Sequence, residues 1–375
     1  MKIIKIEPIH LRLKQVLYEK IETMAKADSV EDVLLVKLVT DEGITGYGEA
    51  YSASNIIKAI IEAPVYHAEF SRGLKGLLIG QDPFDIEVLW DKMYKASLFY
   101  GRRGPAISAI SGINIALWDI IGQATNQPIY KLLGGNYRNK VRAYASAKMP
   151  LHQEEVEELV IKIKNMGFTA VKFGYRPIEV PLLKVAKEIL GEDILLMVDA
   201  GPHMDTETAI QYARECEKLN VYWLEEPLMP DNLEGYARLV KSVSRLKIAT
   251  GENESTRWGF KELIDKAKPH IIQPDLARAG GFSEGIKINQ LAFEKDIQCI
   301  PHVWGSAVMF AASLQFIAAI PHATLFEFCV GNSPFVKELV DSSTFKLVDG
   351  LVDIPSGCGL GIKINEEIIE KYRVE

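Results

Sequence analysis

The chain has 375 residues, of which 25% are charged and 48% belong to the hydrophobic set, and its formal net charge at pH 7 is −7. That length exceeds one small core and calls for two domains, or one large α/β barrel with an attachment. The acidic balance, with a pI near 5.7, disfavours nucleic acid as a partner, because nucleic acid asks for a basic face; no uninterrupted apolar run reaches the roughly 18 residues of a membrane helix, so no membrane partner is expected either.

Residues 1–14 alternate apolar with polar positions and predict a strand rather than a signal-peptide core. Val33–Val39 and Ile44–Ala50 predict two further strands around the turn Asp41-Glu42-Gly43. The polar stretch Val16–Asp32 reads as a long loop, a length that often serves as a lid. Residues 55–133 read as helical. Within them Ile107–Ile121 repeats its apolar residues at helical spacing, and Gly134-Gly135 ends the helical stretch. An α+β domain is therefore expected over residues 1–130.

From about Val141 the texture changes. Short apolar runs alternate with amphipathic helical segments: VRAYASA, AVKF, ILLMVD, VYWLEE, LKIATGE, HIIQPD, IQCIPH and TLFEF. Near-continuous apolar character fits strands buried on both faces of a parallel sheet. The runs end on Lys148, Lys172, Asp199, Glu225, Glu252, Asp275, His302 and Glu327, spaced 23 to 27 residues apart. A βα unit of a barrel has that length, and the C-terminal strand ends of such a barrel share one mouth. Residues 131–335 are thus expected to form a TIM-type barrel. Residues 336–375, rich in turns, read as a segment returning over barrel and first domain. Cys216, Cys299, Cys329 and Cys358 lack metal-site spacing and read as free thiols of a reducing cytoplasm.

Asp199, Glu225 and Glu252 fall on three successive strands. Three converging carboxylates repel one another unless a cation neutralises them, and a set of hard oxygen donors suits Mg²⁺. Asp275 and His302 end neighbouring strands. A carboxylate beside an imidazole fixes its tautomer and raises its pKa, which makes a general base. Lys172 lies across the ring, where it would stabilise a carboxylate oxygen of a small-molecule substrate, although a lysine at a strand end is often only solvated. Metal, base and lysine together suit abstraction of a proton α to a carboxylate, because the dianionic enediolate needs preorganised positive charge.

At these residues the chain resembles the enolase superfamily, and within it the mandelate racemase subgroup. Ser111–Gly135 looks like the family's capping-domain helix, and MVDA, WLEEP, TGEN, QPDLARAGG and PHVWGS match its barrel motifs in order. A pairing of Mg²⁺ with a Lys or His base is the general pattern of that superfamily. The resemblance implies an α/β fold: a (β/α)7β barrel with an N-terminal α+β capping domain completed by the C-terminal segment. It implies Mg²⁺ on Asp199, Glu225 and Glu252, a His302–Asp275 dyad, Glu327 hydrogen-bonded to the enediolate and Lys172 on the carboxylate. It also implies a symmetric homo-oligomer. Where the racemase has a second lysine two residues after the first, this chain reads Lys172-Phe173-Gly174. One base on one face suits dehydration of an acid sugar better than racemisation. His203 or Lys148 would revive racemisation or epimerisation if either reached the opposite face, and Tyr175 is a further candidate acid. A catalytically silent binding relative is the reading from another class. Tyr51, with Ser52, Tyr18, Lys20 and Lys26, is a candidate substrate contact from the capping loops.

Overall fold

The structure is a computed structural model that describes residues 1–14, 30–65, 68–174, 177–331 and 333–374. Three antiparallel strands open the chain, β1 (Ile3–Lys14), β2 (Val30–Thr40) and β3 (Thr45–Ala50), in the order β1-β2-β3. Residues 15–29, with Tyr18, Lys20 and Lys26, lie outside the described residues, whereas Val30–Asp32 belong to β2 and not to a loop. Next in the chain are helices α1 (Ser54–Glu62), α2 (Lys75–Leu78), α3 (Ile86–Ala96), α4 (Pro105–Ala124) and α5 (Ile129–Leu132). By length and composition α4 is apolar enough to cross a bilayer. It is buried on nearly every face instead, between the sheet and the barrel, which explains its apolar character without a membrane.

The barrel strands are β4 (Lys140–Lys148), β5 (Ala170–Gly174), β6 (Leu195–Asp199), β7 (Trp223–Glu225), β8 (Lys247–Thr250), β9 (Ile271–Ile272), β10 (Gln298–Cys299) and β11 (Leu325–Cys329). Between them run α6 (Gln153–Asn165), α7 (Val180–Leu190), α8 (Thr206–Lys218), α9 (Leu233–Ser242), α10 (Thr256–Ala267), α11 (Leu276–Ala279), α12 (Gly281–Phe293) and α13 (Ala307–Ala319). Parallel ladders join β4 through β10 in sequence, and β11 pairs with β4 to bring the eighth strand beside the first. Each strand or its end gives one residue to a sealed interior layer of Tyr144, Ala170, Met197, Trp223, Ala249, Ile271, Ile300 and Leu325. That layer closes the barrel below its mouth.

The tail forms α14 (Pro334–Lys337), the hairpin β12 (Leu347–Val348) and β13 (Leu351–Asp353), and α15 (Glu366–Tyr372). Strand β13 pairs antiparallel with the start of β4. Beyond it, Leu360 donates to Asp119 of α4 at 2.8 Å and Glu366 pairs with Lys37 of β2 at 2.8 Å. The last forty residues thus tie the barrel floor to the capping domain.

Close approach sets the seat of β3 on α4. A Cβ added at Gly48 would stand 1.9 Å from the Gly112 carbonyl oxygen and 2.8 Å from the Ala116 nitrogen. Both neighbours are backbone and cannot swing aside. Gly48→Val is therefore expected to overpack this seam and destabilise the protein by about 1–3 kcal/mol or more, read as a lower urea midpoint with an unchanged m-value.

Candidate active site

Parallel strands aim their C-terminal ends at one mouth, and the titratable residues gather there. Asp199 and Glu225 end β6 and β7. Lys172 and Glu327 lie inside β5 and β11 rather than at their ends. Glu252, Asp275 and His302 lie two or three residues beyond β8, β9 and β10, on the loops that leave those strands. The regular spacing found the right mouth but misplaced these residues by up to three positions, because the strands themselves are short.

Lys172 is buried and bridges two carboxylates, Glu225 at 2.6 Å and Glu327 at 2.8 Å. Burial works against its charge, but Glu225 and Glu327 outweigh this and hold its pKa well above the ordinary lysine value. Burial also raises Glu327, yet Lys172 and then His302 overcome it and hold that carboxyl down to about 2. For Glu225 burial wins over the ammonium. The like charges of Asp199, Glu327 and Glu252 add to it, and the carboxyl is pushed up to about 8. Trp223 Nε1 and Gln273 Nε2, both 2.9 Å away, donate to the other Glu225 oxygen. Burial likewise raises Asp199, with Lys172 opposing and Glu252 adding.

His302 Nδ1 stands 2.7 Å from Asp275 Oδ2, and its Nε2 is 3.5 Å from Glu252. Asp275 is itself fixed, because its other oxygen accepts from the Ala277 backbone N–H at 2.7 Å and caps α11. Burial alone would lower the imidazole pKa. The charge of Glu252, the hydrogen bond to Asp275 and the charge of Glu327 reverse that and raise it to about 10. Val303, the next residue, donates its N–H to Glu327 Oε2 at 2.9 Å, which joins the dyad loop to the Lys172 cluster.

The remaining sequence candidates stand further out. Tyr51 leaves β3 at the mouth, its N–H on the Ala277 carbonyl at 3.2 Å and its ring 5.5 Å from the Arg278 guanidinium, and burial raises its phenol pKa. Lys148 ends β4 on an exposed position, in register with Gly174. His203 is exposed on the loop after β6. Tyr175 lies outside the described residues. Among the described residues no three His, Cys, Asp or Glu side chains close on one point as metal ligands do. Glu225 and Glu252 instead face Lys172 and His302. The donor chemistry still fits a hard divalent cation: Asp199, Glu225 and Glu252 are oxygen donors, and the charge of Glu252 adds to the raised pKa of both Asp199 and Glu225.

Sequence reasoning missed two buried acids. Glu226 takes a positive φ of 40° and accepts from Asn253 at 2.6 Å, with its carboxyl raised to about 7 by burial and by Glu252. The doubled acid in WLEEP was its signal. Glu49, at the end of β3, accepts hydrogen bonds from the start of α13. Its signal was a carboxylate in an otherwise buried strand.

Residues 154–368 match the enolase C-terminal domain-like family, and residues 12–134 match the N-terminal domain of the mandelate racemase/muconate lactonizing enzyme family. The chain belongs to the enolase superfamily. A D-galactarolactone cycloisomerase of Agrobacterium fabrum is 34% identical over 91% of both chains. An arabinonate dehydratase of Saccharolobus solfataricus is 34% identical over 92% of both. The crystal structure of a 3,6-anhydro-D-galactonate cycloisomerase from Zobellia galactanivorans covers 100% of both chains at 31% identity with a TM-score of 0.89. These superfamily relatives carry the barrel, the capping domain and enzyme names of the dehydratase and isomerase types.

In metal-free protein the dyad makes stability depend on pH. The His302 pKa is 6.5 for the unperturbed group and about 10 in the fold. The folded state therefore holds its proton more tightly, and this contribution to stability is complete below pH 6.5 and is lost as pH rises through 10. Urea midpoints measured from pH 6 to 10.5 should fall more steeply for wild type than for His302→Asn. Parallel curves would show that the imidazole is not held charged.

Proposed function

We propose that this protein removes the proton α to the carboxylate of an acid sugar and expels the 3-hydroxyl, giving a 2-keto-3-deoxy acid, with Mg²⁺ held by Asp199, Glu225 and Glu252. The observation that carries the reading is the one-sidedness of the mouth. His302, tuned by Asp275, faces it from β10. On the β5 side, where a second base would serve racemisation, stands Gly174. A Cβ there would lie 2.6 Å from the Asp199 Cβ and 2.7 Å from its Oδ2. No side chain fits at 174 unless Asp199 moves. The dehydratase relative supports the same reading.

Lys172 and Glu327 flank the position a substrate carboxylate would take. Lys172 supplies an ammonium there, and the ionised Glu327 beside it keeps that ammonium charged and in place. When bound, Mg²⁺ would supply Lewis-acid charge that lowers the pKa of the α-proton. His302 acts as base in its neutral form, which it would reach near neutral pH once a bound cation offsets the Glu252 charge that most raises it. Its Nε2 takes that proton while Asp275 holds the imidazolium that results. If the hydroxyl lies on the same face, His302 returns the proton to it as it leaves. Otherwise the acid is Lys148, beside Gly174, or His203.

The cycloisomerase relatives favour a second reading with the same first step. If the β-oxygen belongs to a ring of the substrate, its expulsion opens the ring and the product is an isomer rather than a dehydrated acid. Tyr51, close to Arg278 and the dyad, is the proposed contact from the capping domain.

Two measurements check these assignments. Asp199→Asn, Glu225→Gln and Glu252→Gln should each weaken Mg²⁺ binding by calorimetry while leaving the far-UV spectrum unchanged; unaltered affinity in all three would remove the metal assignment. Proton NMR in D₂O across a library of acid sugars and their lactones should show keto-acid formation with no C2 epimer of the substrate. Product mass then separates the readings, since dehydration loses water and ring opening does not. Accumulation of the C2 epimer at a comparable rate would reveal a second base.

A further inference from the structure

Glu49 is 1% exposed and belongs to the capping domain, yet its partners belong to the barrel. Its carboxylate accepts from the Ser306 N–H at 3.0 Å, the Ser306 hydroxyl at 2.5 Å and the Met309 N–H at 3.2 Å. Ser306 is also the N-cap of the 13-residue α13, its oxygen accepting from Val308 at 3.1 Å. A carboxylate from another domain thus completes the cap of this helix, where unpaired N–H groups and the helix dipole favour negative charge. Burial pushes the carboxyl up to about 7, with the Ser306 hydrogen bonds opposing. The loop before α13 is shaped around this group: Gly305 has φ 146°, and a Cβ there would lie 2.1 Å from Glu49 Oε1.

That loop carries His302. It is pinned at Val303 by Glu327 and at Ser306 by Glu49. Two residues beyond Glu49 the capping chain reaches Tyr51, whose N–H is bonded to Ala277, two residues past Asp275. The short capping segment Glu49–Tyr51 therefore touches the loops of both members of the dyad. We infer that Glu49 is a positioning residue: by capping α13 from the capping domain, it fixes the His302 loop against Asp275 and makes the alignment of the base depend on how the capping domain is seated. This rests on His302 being the base of the proposed reaction.

The experiment compares Glu49→Gln with Asn114→Ala. Asn114 also joins the capping domain to the barrel, through Ser283 at 2.9 Å, but at α12 and not at the His302 loop. Misplacing a reacting group by about 1 Å costs up to roughly 10²-fold. Glu49→Gln, which keeps volume but offers an amide to the Ser306 N–H, should lower kcat for α-proton exchange by roughly 10- to 100-fold with KM changed less than about threefold. Asn114→Ala should lower Tm to a similar extent and leave kcat within about twofold of wild type. A Glu49→Gln enzyme with wild-type kcat, or one impaired no more than Asn114→Ala, overturns the inference. Should Glu49→Gln fail to fold, Ser306→Gly, which removes the hydroxyl's bonds to Glu49 and to the Val308 N–H but keeps the Ser306 N–H on Glu49, must show the same kcat loss for the inference to stand.

A second arm does not depend on the reaction. In ¹⁵N-histidine protein the Nδ1–H resonance of His302, assigned with His302→Asn, should move or broaden in Glu49→Gln and stay in place in Asn114→Ala. An unmoved resonance in both overturns the inference. Absence of exchange with every acid sugar in wild type, with a resonance that still responds to Glu49→Gln, would instead overturn the proposed chemistry and leave the positioning role standing.

Discussion

Crowding of carboxylates at one end of a parallel barrel is the constraint on which the rest of this structure depends. An ion taken out of water costs several kcal/mol unless it is paired and hydrogen-bonded. Here Glu225, Glu226, Asp275 and Glu327 are all but fully buried, and Asp199 is 7% exposed. The fold meets the cost by pairing each with something specific. Lys172 serves Glu225 and Glu327, Trp223 and Gln273 serve the other Glu225 oxygen, His302 serves Asp275, Asn253 serves Glu226, and backbone N–H groups donate to Asp199, Asp275 and Glu327. Positive charge is in short supply, so Glu225 and Asp199 are left raised in pKa, and that surplus of negative charge is what suits the mouth to a cation.

The same scarcity gives the site its asymmetry. Lys172 is committed to carboxylates on one side of the mouth, and the imidazole with its own carboxylate stands on the other. Gly174 removes any further base from β5 for a steric reason, since its neighbour across the ladder is Asp199 itself. Space on that strand has gone to the acid cluster and not to a second proton acceptor. The proposed chemistry, which starts by removing one proton and ends by losing an oxygen, needs no more than this.

The capping domain enters the same arrangement through its buried edge. Strand β3 packs on α4 closely enough to require glycine, α4 packs on α11 and α12, and β3 ends in the carboxylate that caps α13. The tail then clips the capping domain to the barrel floor through Asp119 and β13. Capping domain and barrel are thus held on several sides of the mouth, and the loops of the dyad are among the contacts.

The sequence by itself determined the class of fold and the chemical contents of the mouth. Eight apolar runs at one spacing, each leading to a titratable residue, sufficed, because a βα unit has a nearly constant length and parallel strands share a direction. It also determined that β5 carries no second lysine, since Lys172-Phe173-Gly174 is a local pattern. Tertiary structure alone decided who pairs with whom. Lys172 could have been solvated, but in the fold it lies between Glu225 and Glu327, 53 and 155 residues away. Glu49 read as one acid in a strand, and its partner Ser306 is 257 residues distant. Even the reason for Gly174 was hidden, because the atom that excludes a side chain there sits on the neighbouring strand. Spacing records the period of a fold, whereas ion pairs and close contacts depend on distances that exist only once the barrel has closed and the capping domain has docked.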